Sequence, residues 1–240
     1  MPQTTRIPLL DLIRTAALLG MAAFHLSYDL LMFGLIPYDY SQTPFFYFHA
    51  RIVAATFLIL AGIGLWLSHQ NGIRWPSFWR RFGKILCAAL LVSVATRIAM
   101  PDYYVFFGIL HAIALYSLLG LATLRLPAPI TIGLAATFIV GSYYWQSDFF
   151  NAPPLRFIGL AFDPAQTVDF EPIFPWFGAF LIGIAIGRIG SKANIWPRLT
   201  NRPSGNWVKI LSWPGQHSLP IYLIHQPILM ALVWAFAQLN

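Results

Sequence analysis

The chain has 240 residues, of which 58% are hydrophobic and 10% charged, with a mean hydropathy of +0.65 and a formal net charge of +7. Soluble domains carry about 25% charged residues, so the composition excludes a soluble globular domain and a disordered chain alike. Cys87 is the only cysteine, which excludes an internal disulfide and a zinc site built on several cysteines. The positive excess is not gathered into an arginine-rich arm; in a polytopic membrane protein it records orientation, and nucleic acid is not an expected partner.

The first apolar stretch, residues 9–36, reads LLDLIRTAALLGMAAFHLSYDLLMFGLI. It exceeds the roughly 20 residues a membrane-spanning helix needs, and it is too long for a signal-peptide core, with no small-residue cleavage site behind it. It nevertheless carries Asp11, Arg14, His25 and Asp29. At 3.6 residues per turn, Asp11, Arg14, Leu18, Met21 or Ala22, His25 and Asp29 share one helical face. His25 follows Arg14 by about three turns, roughly 16 Å of rise. Titratable groups facing lipid cost several kcal/mol, so this stripe faces protein or a watered cavity and marks a candidate functional path. A plainer reading makes Asp11 and Arg14 interfacial anchors and His25 to Asp29 a packing hydrogen bond.

Further apolar stretches predict spans at residues 45–67, 81–100, 105–124, 128–144, 173–189 and 218–237. The expectation is an all-α polytopic membrane bundle of about seven transmembrane helices, forming one domain over residues 1–240. Arg74, Arg80, Arg81 and Lys84 precede or open the third span, and Arg188, Lys192, Arg198, Arg202 and Lys209 crowd the segment before the last one. The positive-inside rule then places the N-terminus and both basic segments in the cytoplasm. Residues 146–172, with Asp148, Asp163, Asp169 and Glu171, form an acidic outer loop. Gly62 and Gly64, and the small residues of the sixth span, predict close helix packing.

Histidine is the main chemical signal. His25, His111 and His225 fall within predicted spans, His49 and Arg51 near the start of one, and His69 and His217 in loops or at interfaces. Asp29, one turn after His25, could hold one ring nitrogen while the other serves as base or nucleophile. No HxxxH or HExxH pair occurs, so no metal is expected; no GxSxG occurs either, which argues against serine hydrolase chemistry. Guanidinium groups suit phosphate through forked hydrogen bonds. Arg14, with Arg80, Arg81 and Lys84, is therefore a candidate holder of an anionic, nucleotide-bearing donor, and Asp11, His49, Arg51, His111 and His225 are candidate linings of a substrate cavity.

The segment DLIRTAALLGMAAFH has an arginine-to-histidine spacing that resembles the hallmark of the transmembrane acyltransferase superfamily. The segments FFGILHAIALYSLLG, DFEPIFPWFGAFLIGIAIG and HSLPIYLIHQPIL resemble its branch related to the heparan-alpha-glucosaminide N-acetyltransferase catalytic domain, as a small bacterial member. The resemblance implies transfer of an acyl group, most simply acetyl, from acyl-CoA (acetyl-CoA) on the cytoplasmic side to a hydroxyl or amine of a glycan-type acceptor on the other. It implies His25 as the catalytic histidine and Arg14 as the donor-side arginine. Arg81 and Lys84 resemble a paired basic motif of the third helix, with lysine in place of the second arginine. It further implies an integral protein of the bacterial inner membrane, in contact with lipids and able to form a homo-oligomer. Two other classes of function compete: a small proton-coupled transporter relaying protons through the histidines and Asp29, and a non-catalytic subunit of an envelope-assembly complex.

Overall fold

Long apolar runs bounded by proline and glycine become helices throughout the computed structural model, which describes residues 6–200 and 205–239. The first five residues of the expected cytoplasmic tail, and Arg202 of the basic segment, lie outside the described residues. Among the described residues there are nine α-helices: α1 (Pro8–Met32), α2 (Pro44–His69), α3 (Trp75–Ala99), α4 (Ile109–Thr123), α5 (Ala128–Tyr144), α6 (Ile173–Lys192), α7 (Ile195–Thr200), α8 (Asn206–Gln216) and α9 (Ser218–Ala237). Short 3-10 turns join them, and the one β-type contact described is an isolated parallel bridge between Phe107 and Phe170.

Helices α1, α2, α3, α6 and α9 are long and apolar enough to cross a membrane. The chain is an integral membrane protein. Helices α4 and α5, of 15 and 17 residues, rise only about 22 and 25 Å, against a hydrocarbon thickness of about 30 Å. The expectation of about seven spans thus resolves into five helices of spanning length and two shorter apolar ones. Leu90, Leu91, Val94 and Ile98 of α3 and Ile224, Ile228, Leu232 and Phe236 of α9 are exposed, as suits side chains solvated by lipid tails rather than water.

By their internal contacts the residues group into two units, Met1–Phe57 with Asn194–Asn240, and Leu58–Ala193. In the first, α7, α8 and α9 contact α1. The face of α1 that the 3.6 period picks out is buried at Asp11, Leu18, Met21 and Asp29, joined by Leu10, Thr15 and Ala17. The helix stops at Met32, four residues short of the expected end. Gly34, with φ of +69°, sits at the left-handed position of a Schellman motif: its N–H donates to the Leu31 carbonyl and that of Leu35 to the Leu30 carbonyl, satisfying carbonyls that would otherwise be left open.

The segment before α9, expected as a basic loop, contains α7 and α8. Helix α8 is amphipathic, with Trp207, Lys209, Ile210 and Trp213 exposed and Ser212 and Gly215 buried. Gly215 lies so close to α1 that a Cβ there would collide with the Asp11 carbonyl oxygen. Its N–H donates to Thr15 Oγ1 at 2.9 Å, and the Thr15 hydroxyl donates to the Asp11 carbonyl at 3.1 Å.

In the second unit α6 packs on α4 and α5, and α3 on α4. Gly62 of α2 and Gly183 of α6 bring two backbones into contact: a Cβ on Gly62 would meet the Phe180 carbonyl, and one on Gly183 the Ile59 carbonyl. This is the close approach that small residues permit. Gly64 faces open space, so only one of the two expected α2 glycines makes such a contact. The acidic loop is tied down by backbone bonds from Val168 N to the Tyr103 carbonyl (3.0 Å) and from Glu171 N to the Phe107 carbonyl (3.1 Å). Tyr116, fully buried, donates its hydroxyl hydrogen between the carbonyls of Glu171 (2.9 Å) and Pro172 (2.7 Å).

Candidate active site

Helices α1 and α9 pair along the second half of α1. Asp29 is 0% exposed there, and a carboxylate so enclosed requires a donor from a neighbouring element. Gln226 supplies it, its amide Nε2 donating to Asp29 Oδ1 at 2.8 Å. The expected hydrogen bond from His25 to Asp29 is not made; His25 has no hydrogen bond among the described residues. One turn of separation brings the two side chains to the same face, but the amide of α9 reaches the carboxylate while the imidazole turns to other rings. Its centroid lies 5.1 Å from that of His225 and 5.6 Å from that of Phe24.

His225 Nδ1 lies 2.6 Å from the Tyr222 carbonyl. A carbonyl only accepts, so Nδ1 carries hydrogen and Nε2 of the neutral ring presents a lone pair. That Nε2 is buried without a hydrogen-bond partner, as are Asp29 Oδ2 and Gln226 Oε1. Two imidazoles, a carboxylate and an amide thus meet across α1 and α9 with three polar atoms unsatisfied. Buried polar groups are ordinarily paired, so these three atoms are the ones in the cluster open to a further hydrogen bond.

Of the other candidate linings, His49 stands against the same helix. Its ring centroid is 6.0 Å from that of Phe24, and a Cβ on Gly20 would lie 3.6 Å from its Nε2. Arg51 is exposed and stacks over the Tyr47 ring at 3.8 Å. At the N-terminal end of the stripe, Arg14 donates to Asp11 Oδ1 at 2.6 Å, with the Asp11 side chain 8% and that of Arg14 27% exposed. Asp11 is thereby the counter-ion of Arg14.

The remaining candidates belong to the second unit. Arg80, Arg81 and Lys84 are exposed, in the second and third turns of α3. His111, at the third position of α4, accepts the Gly108 N–H on Nδ1 (3.3 Å), while its Nε2 lies 3.2 Å from Ser93 Oγ, whose hydroxyl donates to the Val105 carbonyl at 2.5 Å. Both ring nitrogens of His111 are engaged in joining α3 to the start of α4. Asp169 reaches the same point, accepting from Ile109 N at 3.0 Å; only glycine at position 108 leaves it room.

Gln226 is the residue that sequence reasoning missed. The signal was present: Asp29 inside an apolar helix demands a partner, and LPIYLIHQPILM offers one amide beside its histidine.

The family model described as heparan-alpha-glucosaminide N-acetyltransferase, catalytic, matches residues 6–227. The chain belongs to that family. The match runs from the start of α1 to the His225–Gln226 pair of α9, so the cluster of imidazoles and Asp29 lies within it. As a member of the heparan-alpha-glucosaminide N-acetyltransferase catalytic family, the chain is assigned to the membrane acetyltransferases. Searches of curated proteins and of solved structures return no significant match.

Proposed function

We propose that this protein is an acetyl-CoA-dependent transferase of the bacterial inner membrane, with its N-terminus in the cytoplasm and seven spans. It moves an acetyl group to a hydroxyl or amine of a glycan-type acceptor. The observation that carries the reading is the His25–His225–Asp29–Gln226 cluster with its unsatisfied polar atoms, inside a chain that belongs to an acetyltransferase family.

In this reading the acceptor oxygen or nitrogen attacks the thioester carbonyl carbon and gives up its proton to His25. A carbon–oxygen or carbon–nitrogen bond forms, the carbon–sulfur bond breaks, and the departing thiolate of coenzyme A takes up that proton. If His25 instead carries the acetyl group, its ring nitrogen first displaces the thiolate, a carbon–nitrogen bond forming as the carbon–sulfur bond breaks, and the acceptor then displaces the imidazole, breaking that carbon–nitrogen bond and giving up its proton to the ring. His225, with its Nε2 lone pair beside His25, receives or relays the proton. Asp29, held by Gln226, supplies negative charge that favours the protonated imidazole. The apolar helices around them keep water from the thioester. Arg14 in one unit, and Arg80, Arg81 and Lys84 in the other, are each proposed to attract the donor's phosphates, to be tested separately. Lipid contact and self-association belong to the same proposal.

The test is acetyl transfer to glucosamine by purified protein in proteoliposomes. His25→Ala is expected to abolish transfer while the protein stays monodisperse and inserted; a variant with full turnover would remove the mechanism. Uptake of solute without any acyl donor would favour the proton-coupled carrier instead.

A further inference from the structure

Helix α8 turns its apolar side away from the protein. At about 100° per residue, Trp207, Ile210, Leu211 and Trp213 fall within an arc of about 160°, and all four are exposed, Trp207 by 77% and Ile210 by 61%. Asn206, the first residue of the helix, is the polar exception in that arc. The opposite side carries Val208, Ser212 and Gly215, half-buried or buried, and there the Gly215 N–H reaches Thr15 Oγ1 of α1. Lys209 and Gln216, both exposed, stand together on one edge between the two sides.

A surface helix of a water-soluble protein buries its apolar side against the core; α8 does the reverse. Its 11 residues rise about 16 Å, too little to cross a bilayer, yet α6 before it and α9 after it are both of spanning length. A segment joining two such helices is held at the membrane surface. An apolar side can sink there among acyl chains while a lysine on its edge reaches the headgroups, and tryptophan suits that depth.

Charge selects the lipid. No Asp or Glu follows Glu171 in the sequence, whereas Arg188, Lys192, Arg198, Arg202 and Lys209 do. Arg198 and Lys209 are exposed on α7 and α8, and Asp11, the acidic residue of α1 at the Gly215 contact, is already paired with Arg14.

We infer that α8 is an in-plane membrane helix whose Lys209 edge binds the phosphate of anionic phospholipids, with Trp207, Ile210, Leu211 and Trp213 seated among their acyl chains. Ammonium donates to phosphate with charge assistance, and one basic residue beside an anionic leaflet favours binding about fivefold. Because Gly215 is pinned to Thr15, a lipid-seated α8 also ties the N-terminal end of α1 to that surface. Anionic-lipid binding here requires the membrane-embedded fold and not acetyl transfer, so either can fail alone.

The experiment uses the full chain in nanodiscs of phosphatidylcholine and phosphatidylglycerol. Ile210→Cys and Gln216→Cys, each in a Cys87→Ser background, carry a nitroxide whose accessibility to oxygen and to a nickel chelate reads its depth. The label at position 210 should meet oxygen and exclude nickel, and that at position 216 should admit nickel. Retained lipid is counted by native mass spectrometry on wild type, Lys209→Gln and Lys209→Arg. The preference of wild type for phosphatidylglycerol over phosphatidylcholine should fall about fivefold in Lys209→Gln and persist in Lys209→Arg. Nickel reaching position 210 would place that side in water, a label there closed to both reagents would mean that a second copy of the chain covers it, and a preference unchanged in Lys209→Gln would remove the phosphate contact; each of these would overturn the inference.

Discussion

Replacing Gln226 with leucine keeps the bulk of the side chain and removes the amide that donates to Asp29. Asp29 is 0% exposed and accepts from Gln226 Nε2 at 2.8 Å, while its other oxygen already lacks a partner. Interhelical hydrogen bonds in membrane proteins average only about 0.6 kcal/mol and reach about 1.7 kcal/mol at most, because the dispersed helices find other partners. The variant, however, leaves a carboxyl group enclosed with no bond at either oxygen, and an unsatisfied buried group costs about 1–3 kcal/mol. The expected loss is therefore about 2 kcal/mol, which exceeds the pair's own coupling. Stability is measured by titrating the micelle-bound protein with denaturing detergent while following helix content, for wild type, Gln226→Leu, Asp29→Leu and the double variant. The double variant should recover part of the loss, because it removes both polar groups. A Gln226→Leu protein within about 0.5 kcal/mol of wild type, the range of ordinary surface changes, would refute the reasoning.

Two further substitutions test the packing. Gly183→Ala drives a Cβ into the Ile59 carbonyl of α2, whereas Gly64→Ala enters open space; the first should cost about 1–3 kcal/mol as overpacking does and the second almost nothing, read as melting temperature by fluorescence-detected size exclusion. Tyr116→Phe removes the hydroxyl that ties α4 to the Glu171 and Pro172 carbonyls and should lower stability by about 1 kcal/mol in the same assay; an unchanged melting temperature would mean that the acidic loop is held without it.

Where one periodic signal decided an element, the sequence alone placed it well. Residues 128–144 and 218–237 are the bounds of α5 and α9, because Pro127 and His217 stand before apolar runs that end in aromatic or polar residues. The stripe on α1 was legible because four titratable side chains in an apolar helix allow one rotational phase. Helix α8 was not legible. Its 11 residues include Lys209 and Pro214, and what holds it is the tertiary contact of Gly215 with the backbone of α1, which no local pattern announces. The ends of α1 and α4 were misplaced for a related reason. Gly34 closes α1 through its own turn, and residues before Ile109 leave the helix to bond with the acidic loop.

The candidate site divides along the same line. Chemistry-bearing residues could be named from sequence, but their pairing depends on which helices meet. His25 meets His225 while Asp29 goes to Gln226, and His111 and the α3 basic cluster belong to another unit. His69 read as a loop or interface residue and is a buried one at the end of α2, because α2 continues two residues beyond its expected end at Leu67 and carries it beneath α3 beside Phe78.

The central claim is that the protein takes acetyl-CoA as its donor, and calorimetry of acetyl-CoA binding to the detergent-purified chain tests it most directly. Wild type should bind in the micromolar range, and Arg14→Ala and an Arg81/Lys84 double alanine variant should each weaken that binding, by about tenfold per charge-assisted bond lost. A folded, monodisperse wild type that releases no heat with acetyl-CoA at millimolar concentration would contradict the claim.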